Sequence, residues 1–326
     1  MRRRDFIQIA AGSAAAWPFA VQAQQQPKWR VGYLGPSGLT PAVAGYIAAF
    51  RDGLAPAGSQ EAANTEIVVR TADNQIDRLP ALAADLAGQG VKAIFAVAAP
   101  AIRAARQAAP AMPLVVIDLE SDPVASGWAA SLAHPGANLT GVFLDLPGFS
   151  AKTLQLIREA VPDISRVAIL WHPASGALQL ETVRSAAPAL NLTTEVFEVS
   201  RPADYDDAFA AMVKSHAQAL LMLSSPLFGG TLPLLAELAL RHRLPTISLF
   251  PEFGRNGGLI GYGPDLPNLF MQGGVLTRKV LQGAEVADLP IERPTRFKLV
   301  ANLKTASALG LTLPTSILLS ADEAIE

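Results

Sequence analysis

Few residues in this chain are placed to act on a small molecule, and most of them stand just after short apolar runs. The loops Gly35-Pro36-Ser37-Gly38, Ser175-Gly176 and Ser224-Ser225-Pro226 carry hydroxyls beside residues that turn the chain. A hydroxyl in that position orients an anionic group or caps the helix that follows, and the pattern leaves both roles open. Ser37, Ser175 and Ser225 are the candidates for the first role. Asp118, Glu120 and Asp122 follow one apolar run and Glu252 another, offering partners for an ammonium. Glu120 and Glu252 are the stronger candidates, because Asp122 before Pro123 also reads as a turn residue. Phe228, with Tyr33, Trp171, Phe250, Phe253 and Tyr262, could sandwich an apolar or aromatic ligand or simply fill a core.

Catalytic signals are absent. His134, His172, His216 and His242 are isolated, and only His172 lies at the end of an apolar run. No phosphate-binding G-x-x-x-x-G-K-[ST] loop and no G-x-S-x-G elbow is present, and Gly257 to Gly263 is only a weak phosphate-loop candidate. With no cysteine there is no disulfide, thiolate zinc site or cysteine nucleophile. The expectation is therefore a non-enzyme with no catalytic residue, no cofactor and no metal.

The elements that position these loops occur twice. Strand-like runs at Trp29–Leu34, Thr65–Val69, Val91–Val97, Pro113–Ile117 and Asn138–Phe143 recur in the same order at Arg166–Trp171, Thr194–Val199, Ala219–Leu223, Pro245–Leu249 and Gly258–Tyr262. Helical spacing separates them, as in Leu79, Leu82, Ala83 and Leu86, or Tyr205, Ala208, Phe209 and Met212. Continuous apolar strands alternating with amphipathic helices predict an α/β fold of two doubly wound parallel-sheet lobes. Ligands of such sheets sit beyond the carboxyl ends of the strands, so two facing lobes would line one cleft with the loops named above. A further helix from Asp265 to Leu281 and a strand from Arg296 to Ala301 exceed what one repeat needs. They predict a return to the first lobe and back, with several connections forming a hinge. The expected division is 28–144 plus about 265–290 for lobe one, and 145–264 plus about 291–326 for lobe two.

Composition agrees with a globular, non-nucleic-acid-binding product. The 326 residues are 50% hydrophobic and 17% charged with a net charge of −2, which excludes disorder and gives no basic surface. Residues 1–23 read as an export signal. Arg3-Arg4 with Phe6 has the twin-arginine pattern, Ile7 to Ala20 is weakly apolar, and Val21-Gln22-Ala23 offers a cleavage site near Ala23. Periplasmic localisation follows, because no later run is apolar over the ~20 residues a membrane span requires.

Several segments together carry a family resemblance. They are the leader with its Arg-Arg-Asp-Phe-Ile start, Asp77 to Leu86, His134-Pro-Gly-Ala-Asn-Leu-Thr-Gly-Val142, Gly257 to Gly263, Ala287-Asp-Leu-Pro290 and Asn302 to Leu311. The chain resembles the bacterial ABC-transporter substrate-binding proteins of the tryptophan/tyrosine-binding type, with the type I periplasmic-binding fold. The resemblance implies a monomeric binding protein of an ABC importer that captures a small, amino-acid-like or aromatic ligand and delivers it to an inner-membrane permease. It implies ligand contacts at the loop of Ser37, around Asp122 and at the loop of Ser225. A periplasmic enzyme of the same two-lobed shape and a ligand sensor for a membrane receptor are the alternatives. Family members often have a glycine- or hydroxyl-rich loop after the third strand, where this chain has Ala98-Ala99-Pro100-Ala101. The leader lacks a lipidation cysteine, so the product is expected to be free rather than anchored. On this reading Ser37→Ala and Ser225→Ala each weaken ligand binding, measured by titration calorimetry, while thermal unfolding remains unchanged.

Overall fold

The computed structural model describes residues 29–55 and 64–326; the export signal at 1–23 lies outside the described residues. The first half builds β1 (Trp29–Gly35), α1 (Pro41–Leu54), β2 (Thr65–Thr71), α2 (Leu79–Gly88), β3 (Ala93–Val97), α3 (Ala98–Ala108), β4 (Leu114–Asp118) and β5 (Leu139–Phe143). Its strands form a parallel sheet in the order β2-β1-β3-β4-β5. The apolar runs are continuous because both faces of this sheet are covered. Ile94, Ala96, Leu114 and Val116 enter one buried cluster with Leu79, Leu86 and Ile102. Phe95, Val115 and Ile117, the alternate residues of the same strands, enter another with Phe50 and Phe270.

The second half repeats the plan with α4 (Leu146–Ala160), β6 (Arg166–Trp171), α5 (Leu178–Ala186), β7 (Thr193–Glu198), α6 (Tyr205–Lys214), β8 (Ala219–Met222), α7 (Pro226–Gly229), α8 (Leu232–Arg241), β9 (Thr246–Ser248), α9 (Pro251–Arg255) and β10 (Ile260–Pro264). The remainder is α10 (Leu266–Leu281), β11 (Phe297–Asn302), α11 (Leu303–Leu309), α12 (Thr315–Ser320) and β12 (Glu323–Ile325). The second sheet runs β12-β11-β10-β9-β8-β6-β7. Among the described residues, no helix is long and apolar enough to cross a membrane.

The second sheet departs from the all-parallel expectation at one place, where β11 is antiparallel to β10. The reason is the route of the chain. After β10 it leaves for the first lobe, where α10 packs on α1 and on β3, β4 and β5. On returning it enters the second lobe beside the carboxyl end of β10, with Phe297 opposite Pro264, and can only run the other way. The short β12, which the sequence does not signal, then pairs parallel to β11.

The chain thus passes between the sheets at 144–146, 264–266 and 292–297, and these crossings are tied to one another. Glu292 forms a parallel bridge with Val142, and Arg293 donates to the carbonyls of Phe143 (3.0 Å) and Leu144 (2.7 Å). Lys298 pairs with Asp265 at 2.9 Å. Three adjacent connections constrain the lobes to rotate about one axis.

The return helix α10 is seated by glycine. A Cβ on Gly53 would collide with the backbone of Met271, and one on Gly274 with the backbone of Phe50. Helix backbones that approach this closely leave no room for a methyl group, and neither backbone can give way as a side chain can. Gly274→Ala is therefore expected to lower the stability of the folded protein by about 1–3 kcal/mol, read from urea unfolding monitored by circular dichroism.

Candidate functional site

The carboxyl ends of both sheets face one cavity of about 170 Å³. Since one water needs roughly 10–15 Å³ on such a measure, the space suits a solute of amino-acid size. From the first lobe it is lined by Tyr33, the Gly35–Gly38 loop, Ala98 and Glu120, and by α1 and α10 through Tyr46 and Phe270. From the second it is lined by Ser224, Pro226, Phe250 and Glu252. Apolar and aromatic surface dominates. Tyr46 and Phe270 stack with centroids 5.0 Å apart at 22°, and burial pushes the phenols of Tyr33 and Tyr46 up, so both stay protonated.

The buried carboxyl of the cavity wall is Glu120, only 4% exposed. Its Oε1 accepts from Ser224 Oγ at 2.8 Å, across the cleft, and its Oε2 accepts from Ala99 N at 3.4 Å. The second contact depends on how β3 ends. There is no loop after the strand; α3 begins at once, and Ala98 takes φ +67 to make the corner. That left-handed backbone costs a non-glycine residue roughly 1–2 kcal/mol, and it turns the N–H of Ala99 toward the carboxyl. The Ala98-Ala99-Pro100-Ala101 segment therefore contributes a backbone donor where it has no side-chain one.

Glu120 N in turn donates to Asp118 Oδ1 at 2.8 Å, and the other Asp118 oxygen is buried with no partner. Burial, with the neighbouring Asp118 carboxyl adding to it, pushes Glu120 up to about 8. Burial likewise pushes Asp118 up. At the opposite wall Glu252 is in the first turn of α9, where burial raises it too, and its Oε2 is buried without a partner. Arg255 stands 3.6 Å from the other oxygen of Glu252.

Two further bonds close the cleft. Ser37 Oγ donates to the Pro226 carbonyl at 3.4 Å, and Arg103 donates to the Ala174 carbonyl at 2.9 Å. The two lobes are therefore in contact around the cavity.

The family model for ABC transporter substrate binding proteins matches residues 39–325. The chain belongs to this family. A tyrosine-binding protein of Clostridioides difficile (strain R20291) is 23% identical over 277 residues, which is 84% of this chain and 77% of that protein. Among solved structures, the ABC domain from Streptococcus pneumonia in complex with L-Trp superposes with a TM-score of 0.82 at 23% identity, covering 91% of this chain and all of that one. A conserved domain protein from Vibrio cholerae gives 0.82 at 20% identity, covering 91% and 99%. The architecture is that of the type I periplasmic binding proteins.

Of the seven residues singled out in this substrate-binding protein, Ser37, Glu120 and Glu252 line the cavity and four do not. Ser225 is fully buried, caps α7 by accepting from Leu227 N at 3.2 Å, and holds His172 Nδ1 at 2.9 Å. Phe228 lies in the core 6.3 Å from the Tyr205 ring. Ser175 is buried in a short 3-10 turn with its hydroxyl unpaired. Asp122 Oδ1 accepts from Val124 N and Ala125 N, 2.8 Å each, and stabilises a turn. Sequence reasoning missed Ser224. The signal was available, since Pro226 at the first helical position makes Ser225 the cap and leaves Ser224 to face the cleft. Tyr46 and Phe270 lie on helices remote in sequence and gave no comparable signal. The structure assigns Ser225→Ala a cost in stability of about 1 kcal/mol through the lost cap, rather than a lost ligand contact.

A carboxyl raised by folding binds its proton over a range where the unfolded chain has released it, so stability falls as pH rises through that range. For Glu120 the range runs from the ordinary value of 4.5 to about 8. The midpoint of thermal unfolding is expected to fall between pH 5 and pH 8, and Glu120→Gln to flatten that fall. A slope unchanged in the variant would assign it to other groups.

Proposed function

We propose that this protein is the periplasmic solute-binding component of an ABC importer, which encloses one small, aromatic or amino-acid-like solute between its lobes and hands it to an inner-membrane permease. It works as a monomer and performs no chemistry on the solute. Family membership supports the binding role, and the tyrosine-binding relative and the L-Trp complex support a solute of that size and character. The observation that carries the reading is the cavity shared by two lobes and bridged by Ser224 and Glu120. Residues 1–23 are the export signal, 28–144 with about 265–290 form lobe one, and 145–264 with about 291–326 form lobe two.

Closure follows from where the contacts are. A solute held by Tyr46 and Phe270 on one side and Phe250 on the other meets both walls only when the cleft is shut. Its binding free energy is then larger for the closed state, and the population shifts toward closure. The permease would read that closed surface.

Small-angle scattering with the solute identified by native mass spectrometry of protein from its host is expected to show a smaller radius of gyration than without it. Ser224→Ala removes the cross-cleft bond to a buried carboxyl, worth about 1.5–3 kcal/mol, so affinity should fall roughly tenfold or more. Superimposable scattering profiles, or no solute held by the native protein, would overturn this function.

A further inference from the structure

Four of the helices that begin at the cavity wall each carry a proline in the first turn and donate another first-turn N–H to an oxygen of the chain itself. At α1, Pro41 has no N–H and Val43 N donates to Thr40 Oγ1 at 3.3 Å. At α3, Pro100 has none and Ala99 N donates to Glu120. At the short α7, Pro226 has none and Leu227 N donates to Ser225. At α10, Pro267 has none and Asn268 N donates to Asp265 Oδ1 at 3.5 Å. Helix N-termini are the usual seats for a ligand carboxylate in a cleft of this kind. Here a proline and an internal oxygen stand in each.

The side chains point the same way. Among the cavity-lining residues there is no Lys, Arg or His, whereas two carboxyls, Glu120 and Glu252, are present. Arg255 does not line the cavity, and its guanidinium also bonds Glu323 at 2.9 Å. One oxygen of the cavity-lining Glu252 is buried with no partner. Carboxyls taken out of water call for a cation or a donor, whereas a solute carboxylate would find no cation among the lining residues to offset it. The stacked Tyr46 and Phe270, facing Phe250, supply flat apolar surface for a ring. Burial raises both Glu120 and Glu252 above the ordinary carboxylate range, with the Asp118 carboxyl adding to it at Glu120 and Arg255 opposing it at Glu252.

We infer that the cavity takes an aromatic or flat apolar amine without a carboxylate, its ammonium directed to the Glu120 and Glu252 carboxyls, and that it rejects the parent amino acid. The inference rests on the solute-binding reading above and narrows it. A buried cation beside the unpartnered Glu252 oxygen satisfies both partners at once, which an amino acid zwitterion does only at one end.

Titration calorimetry of the exported, processed protein at pH 7 tests this with tryptamine, tyramine and 2-phenylethylamine against tryptophan, tyrosine and phenylalanine. At least one amine is expected to bind, about tenfold or more tightly than its own amino acid. Glu252→Gln is expected to weaken that amine about tenfold, with cooperative thermal unfolding retained as the control for folding. If an amino acid matches or exceeds its amine, or if no amine binds, the inference is overturned, and either result leaves the solute-binding function standing. That function falls on the separate finding that native protein holds no solute.

Discussion

A carboxyl group withdrawn from water needs partners, and for Glu120 the partners come from two directions. Ala99 supplies a backbone N–H from its own lobe and Ser224 a hydroxyl from the other. The burial of Glu120 and the apposition of the lobes are thus one fact, since opening the cleft would take Ser224 away and return the carboxyl to solvent. The left-handed turn at Ala98 belongs to the same arrangement. A loop of ordinary length after β3 would swing Ala99 away, so the strain at one residue is what lets an alanine-only segment supply a donor.

The hinge follows from how the chain is routed. Because α10 is exported from the second half to cover the first sheet, three segments must pass between the lobes rather than one. Arg293 ties two of them through the carbonyls of Phe143 and Leu144, and Lys298 with Asp265 ties the third. A single connection would let the lobes separate freely, whereas three laced together allow rotation and resist displacement. The close glycine contacts of α10 with α1 keep the helix on the first sheet while the remainder moves.

Most of the frame was legible in the residues. Apolar runs such as Ala93–Val97 and Leu114–Asp118 are buried on both faces, so they read as continuous rather than alternating, and their repetition revealed two lobes. The direction of β11 was not legible, because antiparallel pairing was decided by where α10 had carried the chain. Site residues were read unevenly. Glu120 and Glu252 were visible as charges following buried strands, and both line the cavity. Ser225 was preferred over Ser224 although Pro226 marks it as the cap, and the cap role withdraws its hydroxyl from the cleft. Phe228 on α7 and Ser175 in a 3-10 turn lie at the right level, yet they are buried in packing and do not line the cavity.

The amino-acid order alone determined that strands and helices alternate, that the pattern runs twice and that strand-end loops carry the polar residues, since those properties depend on neighbours a few positions apart. It also carried the family segments. Which of those polar residues meet one another was decided only by the tertiary structure. Tyr46 on α1, Glu120 after β4, Ser224 after β8 and Phe270 on α10 come together because the lobes face each other and α10 packs against α1 on the first sheet. Local spacing holds no information on that approach; it is set by the packing of two sheets and by the need of a buried carboxyl for partners.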